Sequence, residues 1–170
     1  METKLSIEDR DIAWRHIALA GSLFGIACIS SPAFFAGAVA YAAYTPVSLA
    51  MFYFSELSNT EDKQLPAPRP ATVILKGGIE EIVFRAPLLL VPHPATAIIS
   101  ILSFTVMHYP KFGTIARIIP VALSAIMYTA LLFTYGLPAA IAAHTLHNLV
   151  HQTALTAFLT HNPERTIITS

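Results

Sequence analysis

The chain has 170 residues, of which 55% are hydrophobic and only 12% are charged. A soluble domain of this size carries roughly twice that charged fraction, so the composition excludes an ordinary soluble domain and predicts a polytopic membrane protein. The formal net charge is zero and no basic run occurs, so the sequence gives no indication of nucleic-acid binding. The lone cysteine, Cys28, excludes an internal disulfide and a thiolate metal cluster, and we interpret it as an ordinary apolar residue.

Six apolar stretches are long enough to cross a hydrocarbon core of about 30 Å, which takes about 17–25 helical residues. The sequence therefore predicts an all-α membrane bundle of about six transmembrane helices, with residues 1–170 forming a single membrane domain. Its one long polar connection is the Pro-rich segment 55–70, which we expect to be extended and cytoplasmic. The predicted spans lie near 13–30, 33–54, 71–91, 93–109, 118–135 and 138–160.

The basic residues predict the orientation of the bundle. If both termini lie in the cytoplasm, every Lys and Arg outside the third span falls on or beside the inner face, and the outer connections contain none. Two stretches rich in small residues, 37–43 and 137–144, are typical of helices that approach closely in lipid. The basic residues outside the third span are Lys4, Arg10, Arg15, Lys63, Arg69, Lys111, Arg117 and Arg165.

The third span, ATVILKGGIEEIVFRAPLLLVP, contains four charged residues, each of which is costly in a bilayer. Glu81 and Arg85 are four residues apart and are predicted to pair on one helix face. Glu80 has Phe84 four residues further on, so we expect its carboxyl group to be unpaired and available for general acid–base chemistry. The alternative is that both glutamates merely neutralise Lys76 and Arg85, and this stretch alone leaves it open.

Gly77 and Gly78 precede the glutamates and are expected to loosen the helix there, whereas Pro87 predicts a kink one turn after them. In the fourth span, His108 is predicted to lie in the last helical turn, because Pro110 should end the helix. A histidine there is also favoured by the helix dipole, so His108 alone indicates little.

The sixth span contains HTLHNLVH, in which His144 and Asn148 share a helix face. Three histidines and an asparagine within eight residues of a membrane helix are hard to explain by packing. Glu80 and Asn148 each lie about 15 Å into their spans, so helix geometry permits a common site near the bilayer midplane. His147 and His151 have no assigned role, since packing or a hydrogen bond would explain either.

Together, EEIVFR at 80–85, FTVMH at 104–108 and HTLHN at 144–148 resemble the motifs EExxxR, FxxxH and HxxxN of the CPBP family. This family comprises the Rce1-like CAAX prenyl endopeptidases, which are intramembrane glutamic proteases, and the proteins named for bacteriocin processing and self-immunity. The three motifs occur in the family's order on separate predicted helices. The motif-bearing helices span 71–160, and the first two spans carry no motif of the family.

The resemblance implies a metal-independent endopeptidase without a cofactor, which cleaves a membrane-associated protein or peptide. It implies that Glu80 activates a water together with His108. It also implies that His144 and Asn148 form an oxyanion hole. Glu81 and Arg85 would be supporting positions.

The chain has fewer spans than the eukaryotic and archaeal prenyl endopeptidases. It is therefore more similar to a compact member in a prokaryotic plasma membrane, and a prenylated substrate does not follow from the resemblance.

Three other functions compete with this prediction. A metalloprotease is one, because His144, His147, His151 and the glutamates are possible ligands, but zinc proteases of that kind usually carry HExxH, which is absent here. The second is a non-enzymatic immunity protein that binds a peptide without cleaving it. The third is a proton-coupled transporter, which only the intramembrane carboxyl and imidazole groups favour.

Overall fold

The computed structural model describes residues 2–4, 7–53, 65–66, 70–112, 115–161 and 166–168. The described residues form six helices, which confirms the all-α membrane bundle predicted from the sequence. Each predicted span matches one helix. They are α1 Ile7–Ser30, α2 Pro32–Phe52, α3 Pro70–Leu90, α4 Pro94–Phe112, α5 Ile115–Tyr135 and α6 Leu137–His161.

Three of these helices are long and apolar enough to be candidate membrane spans, within the ranges that the structure describes. They contain the segments Asp11–Ser30, Pro32–Met51 and Ile118–Tyr135, and Pro94–His108 is a shorter apolar helix. Large apolar side chains remain exposed on the outside of the bundle, among them Ile29, Leu75 and Leu90. An apolar outer surface of this kind is compatible with a lipid environment.

The prediction that Pro110 ends the fourth helix is wrong, because α4 continues to Phe112. Proline lacks a backbone N–H and its ring crowds the carbonyl four residues before it, which disfavours a helix but does not always end one. Helices α2, α3 and α5 likewise contain Pro46, Pro87 and Pro120, as membrane helices tolerate. The extra residues place His108 a full turn inside its helix.

Three very short strands bring distant parts of the chain together. β1 (Glu2–Lys4) pairs antiparallel with β3 (Thr166–Ile168), and β2 (Leu65–Pro66) pairs parallel with β3. Residues near both chain ends and in the connection before α3 therefore meet in one small sheet. Of the predicted extended connection 55–70, residues 65–66 form β2 and Pro70 begins α3, while 55–64 and 67–69 lie outside the described residues.

Helix α6 is the centre of the bundle, because its small residues allow other helices to approach closely. A Cβ atom at Gly37 of α2 would overlap the backbone of Ala139 in α6, so the two small-residue stretches pack against each other. The core on either side of this contact contains Tyr41, Leu88, Tyr128, Leu131, Leu132, Ala139, Ala140 and Ala143.

A polar contact between α2 and α6 accounts for His151, to which the sequence assigned no role. The Ser48 hydroxyl lies 2.9 Å from His151 Nε2 and accepts a hydrogen bond of 2.9 Å from the Tyr41 hydroxyl. The His147 ring packs between those of Tyr41 and His151, at centroid distances of 5.3 and 4.1 Å. Both histidines therefore have contacts that join α6 to α2.

Candidate active site

The buried ion pair predicted in α3 is present. Arg85 Nε lies 3.4 Å from Glu81 Oε2, and both side chains are completely buried. Two neighbouring helices also contact the guanidinium group, because Nη2 donates to the carbonyl oxygen of Ala125 in α5 at 3.4 Å and Cζ lies 4.4 Å from the ring centre of Phe104 in α4. Arg85 thus connects α3 to both helices.

Glu80 has a different environment, in which one carboxylate oxygen faces two histidines and the other faces a lysine. Oε2 lies 3.8 Å from His108 Nε2 and 3.7 Å from His144 Nε2, and Oε1 lies 3.4 Å from Lys76 Nζ. The prediction that Glu80 is unpaired is therefore wrong. Its partner is Lys76, four residues before it on the same helix face, which is the pairing that the sequence analysis left open as an alternative.

His144 lies between the two glutamates. Its Nδ1 is 2.8 Å from Glu81 Oε1, while Nε2 faces Glu80. The Tyr128 ring of α5 stacks on the imidazole at a centroid distance of 4.8 Å and an interplanar angle of 13°. Tyr128 belongs to none of the three motifs, and no pattern in the sequence indicated that it would reach the site.

His108 is held by its own helix. Nδ1 lies 2.8 Å from the carbonyl oxygen of Phe104, which can only accept, so Nδ1 carries the proton. In the neutral ring Nε2 is then an acceptor, and this is the atom that faces Glu80. The Phe104 ring lies 4.5 Å from that of His108 and 5.8 Å from that of His144, and so packs against both imidazoles.

Asn148 lies one turn after His144 on α6 and contacts α3 at Gly77. A Cβ atom at position 77 would lie 2.6 Å from Asn148 Nδ2 and 3.3 Å from His144 Cδ2, so a larger residue there would displace these two side chains. Helix α3 is continuous through Gly77 and Gly78, in contrast to the loosened helix that the sequence suggested. The role of Gly77 is to admit the α6 side chains beside the glutamates.

The structure thus gathers the residues of the three motifs around Glu80. His108 and His144 reach its Oε2 atom, Glu81 and Arg85 form the buried pair behind it, and Asn148 lies on the adjoining face of α6. Within the described parts of the chain, no group of three or more His, Cys, Asp or Glu side chains has the arrangement of a metal site.

The family model for type II CAAX prenyl endopeptidases, Rce1-like, matches residues 64–150, just over half of the chain. The chain belongs to this family. The match includes all three motifs and ends before the last turns of α6. No curated protein and no solved structure matches the chain. Membership of the Rce1-like family implies protease activity on a membrane-associated peptide, and with the apolar helices it makes this a membrane protein.

Proposed function

We propose that this protein is a multi-pass cell-membrane endopeptidase of the glutamic type, which hydrolyses a peptide bond of a membrane-associated protein or peptide without a metal ion. One observation carries the proposal: the buried Glu80 carboxylate faces the Nε2 atoms of both His108 and His144 at 3.7–3.8 Å. These separations are too long for direct hydrogen bonds, and they leave room for a water that donates one hydrogen bond to Glu80 and the other to His108.

In the proposed reaction, Glu80 removes a proton from this water while His108 Nε2 accepts its other hydrogen bond. The water oxygen then attacks the carbonyl carbon of the scissile bond, and the carbonyl oxygen becomes an oxyanion. General-base catalysis of this kind typically contributes about 10²–10⁴-fold to a rate.

His144 and Asn148 are proposed to stabilise the oxyanion. Because Glu81 is paired with Arg85, it accepts the Nδ1 proton of His144, so Nε2 of the neutral ring has no proton to donate. We infer that Glu80 passes the proton of the water to this Nε2. The imidazolium then donates to the oxyanion beside the amide of Asn148, and gives its proton to the leaving amine when the C–N bond breaks.

The function is tested by comparing the termini of membrane proteins in host cells that carry the wild-type chain or Glu80→Gln at matched expression, with and without a strong chelator. A terminus that is absent with Glu80→Gln and insensitive to the chelator is expected. A terminus that the chelator abolishes would instead indicate a metalloprotease. If the membrane proteins have identical termini in both strains, and the effect of the chain on its host cell is the same in both, the chain would instead be a binding or immunity protein.

Asn148→Ala should lower activity only partly, by roughly 10²-fold, because one oxyanion donor is removed and His144 remains. The measurement is the initial rate of cleavage of the substrate found by the terminus comparison. Asn148→Asp is the matched control, since it keeps the shape but places an acceptor where a donor is needed. Full activity of both variants would exclude Asn148 from the oxyanion hole.

A further inference from the structure

Lys76 lies one turn before Glu80 on α3 and belongs to none of the three motifs. Its Nζ atom is 3.4 Å from Glu80 Oε1, and its side chain is 49% exposed whereas that of Glu80 is 9% exposed. Arg85, the other basic residue of α3, is completely buried against Glu81. The structure therefore pairs each glutamate with its own cation, four residues away in opposite directions.

The two carboxylate oxygens of Glu80 have different partners. Oε1 faces the ammonium group, and Oε2 faces the imidazoles of His108 and His144. An ammonium group at this distance attracts Oε1 and favours the rotamer that points Oε1 towards it. That rotamer is the one that leaves Oε2 facing the histidines.

We propose that Lys76 is a positioning residue of this reaction, whose ammonium group holds the Glu80 carboxylate so that its Oε2 atom is directed at the water site. The inference rests on the proposed function, since it assigns Lys76 a role through the general base. The competing explanation is an ion pair that only lowers the cost of placing two charges in the membrane. The two differ in whether turnover depends on a positive charge at this position.

The first experiment compares Lys76→Met with Lys76→Arg in detergent-solubilised full-length protein. The substrate is supplied as membranes from cells carrying Glu80→Gln, in which the uncleaved protein accumulates. We expect Lys76→Met to lower kcat by roughly 10- to 100-fold with KM unchanged, because the general base is disturbed and the substrate contacts are not. Lys76→Arg should recover kcat to within a few-fold of wild type. Lys76→Gln replaces Lys76→Met if the latter does not accumulate.

The second experiment restores the charge chemically, which the exposure of Lys76 permits. In a Cys28→Ala background, Lys76→Cys provides the only thiol in the chain. Its thiolate attacks 2-aminoethyl methanethiosulfonate, so that a disulfide forms, methanesulfinate leaves and the side chain again ends in an ammonium group. Methyl methanethiosulfonate is the matched control, because it adds an uncharged group by the same reaction. The amine adduct should restore turnover and the methyl adduct should not.

The outcomes separate this inference from the proposed function. Wild-type turnover in Lys76→Met, with Glu80→Gln inactive, would overturn the role of Lys76 alone. A loss in Lys76→Met that neither Lys76→Arg nor the amine adduct restores would also overturn it, since the position would then be structural. Unchanged cleavage in both Lys76→Met and Glu80→Gln would overturn the proposed function itself.

Discussion

Replacing Glu80 by Gln should lower the turnover of the purified protein by roughly 10³-fold or more, because the amide of glutamine cannot take a proton from water. The substitution keeps the size of the side chain, so the packing against His108 and His144 should survive. The measurement is kcat on the substrate identified from the changed terminus, in detergent and again in lipid vesicles.

His108→Ala should also abolish activity, since His108 Nε2 is the second group proposed to bind the water.

The comparison variant for Glu80→Gln is Glu81→Gln, the same chemical change one residue further along α3, which should mainly lower stability whereas Glu80→Gln should mainly lower turnover. Both variants must first be shown to insert and to elute as the wild-type protein does. Turnover of Glu80→Gln at the wild-type rate would eliminate Glu80 as the general base. Equal activity losses in the two variants, each with reduced folded yield, would show that a general disturbance of α3 is responsible.

Breaking the buried ion pair should give the largest loss of stability. Arg85→Met or Glu81→Gln leaves an uncompensated charge among completely buried groups, which typically costs about 3–5 kcal/mol. The measurement is the free energy of unfolding of each variant, from equilibrium titration of mixed micelles with a denaturing detergent. A loss below about 1 kcal/mol in both variants would contradict the importance of the pair.

The double variant Glu81→Gln with Arg85→Met separates the charge effect from the other contacts of these side chains. If the uncompensated charge is the main cost, the double variant should lose clearly less than the sum of the two single losses. Recovery should remain incomplete, because Glu81 also accepts a hydrogen bond from His144. Glu81→Gln should therefore lower the activity of the folded protein as well as its stability.

The sequence predicted the architecture because membrane helices are specified locally. An apolar stretch of sufficient length must satisfy its backbone hydrogen bonds within itself, so the six helices could be predicted from the apolar stretches alone. The pairing of Glu81 with Arg85 is equally local, since four residues return a helix to the same face. The ends of the helices were less certain, and Pro110 shows why. A proline disfavours a helix without forbidding it, so the position of Pro110 in the sequence does not by itself decide where α4 ends.

The three motifs identified the candidate site residues, but the catalytic roles of these residues stay a proposal. The division into a motif-bearing segment at 71–160 and a cytoplasmic loop at 55–70 also stays a prediction. The placement of both termini in the cytoplasm also stays a prediction. The spacing of residues along one helix shows which side chains share a face. It does not show which other helix that face contacts.

By itself, therefore, the sequence determined the membrane bundle, the family motifs and the pair within α3. Only the tertiary structure decided that His144 lies between Glu80 and Glu81, that Tyr128 stacks on it, and that Gly77 gives Asn148 room. These contacts join residues many positions apart on different helices, and they depend on interhelical distance and side-chain rotamers, which spacing along one helix does not specify.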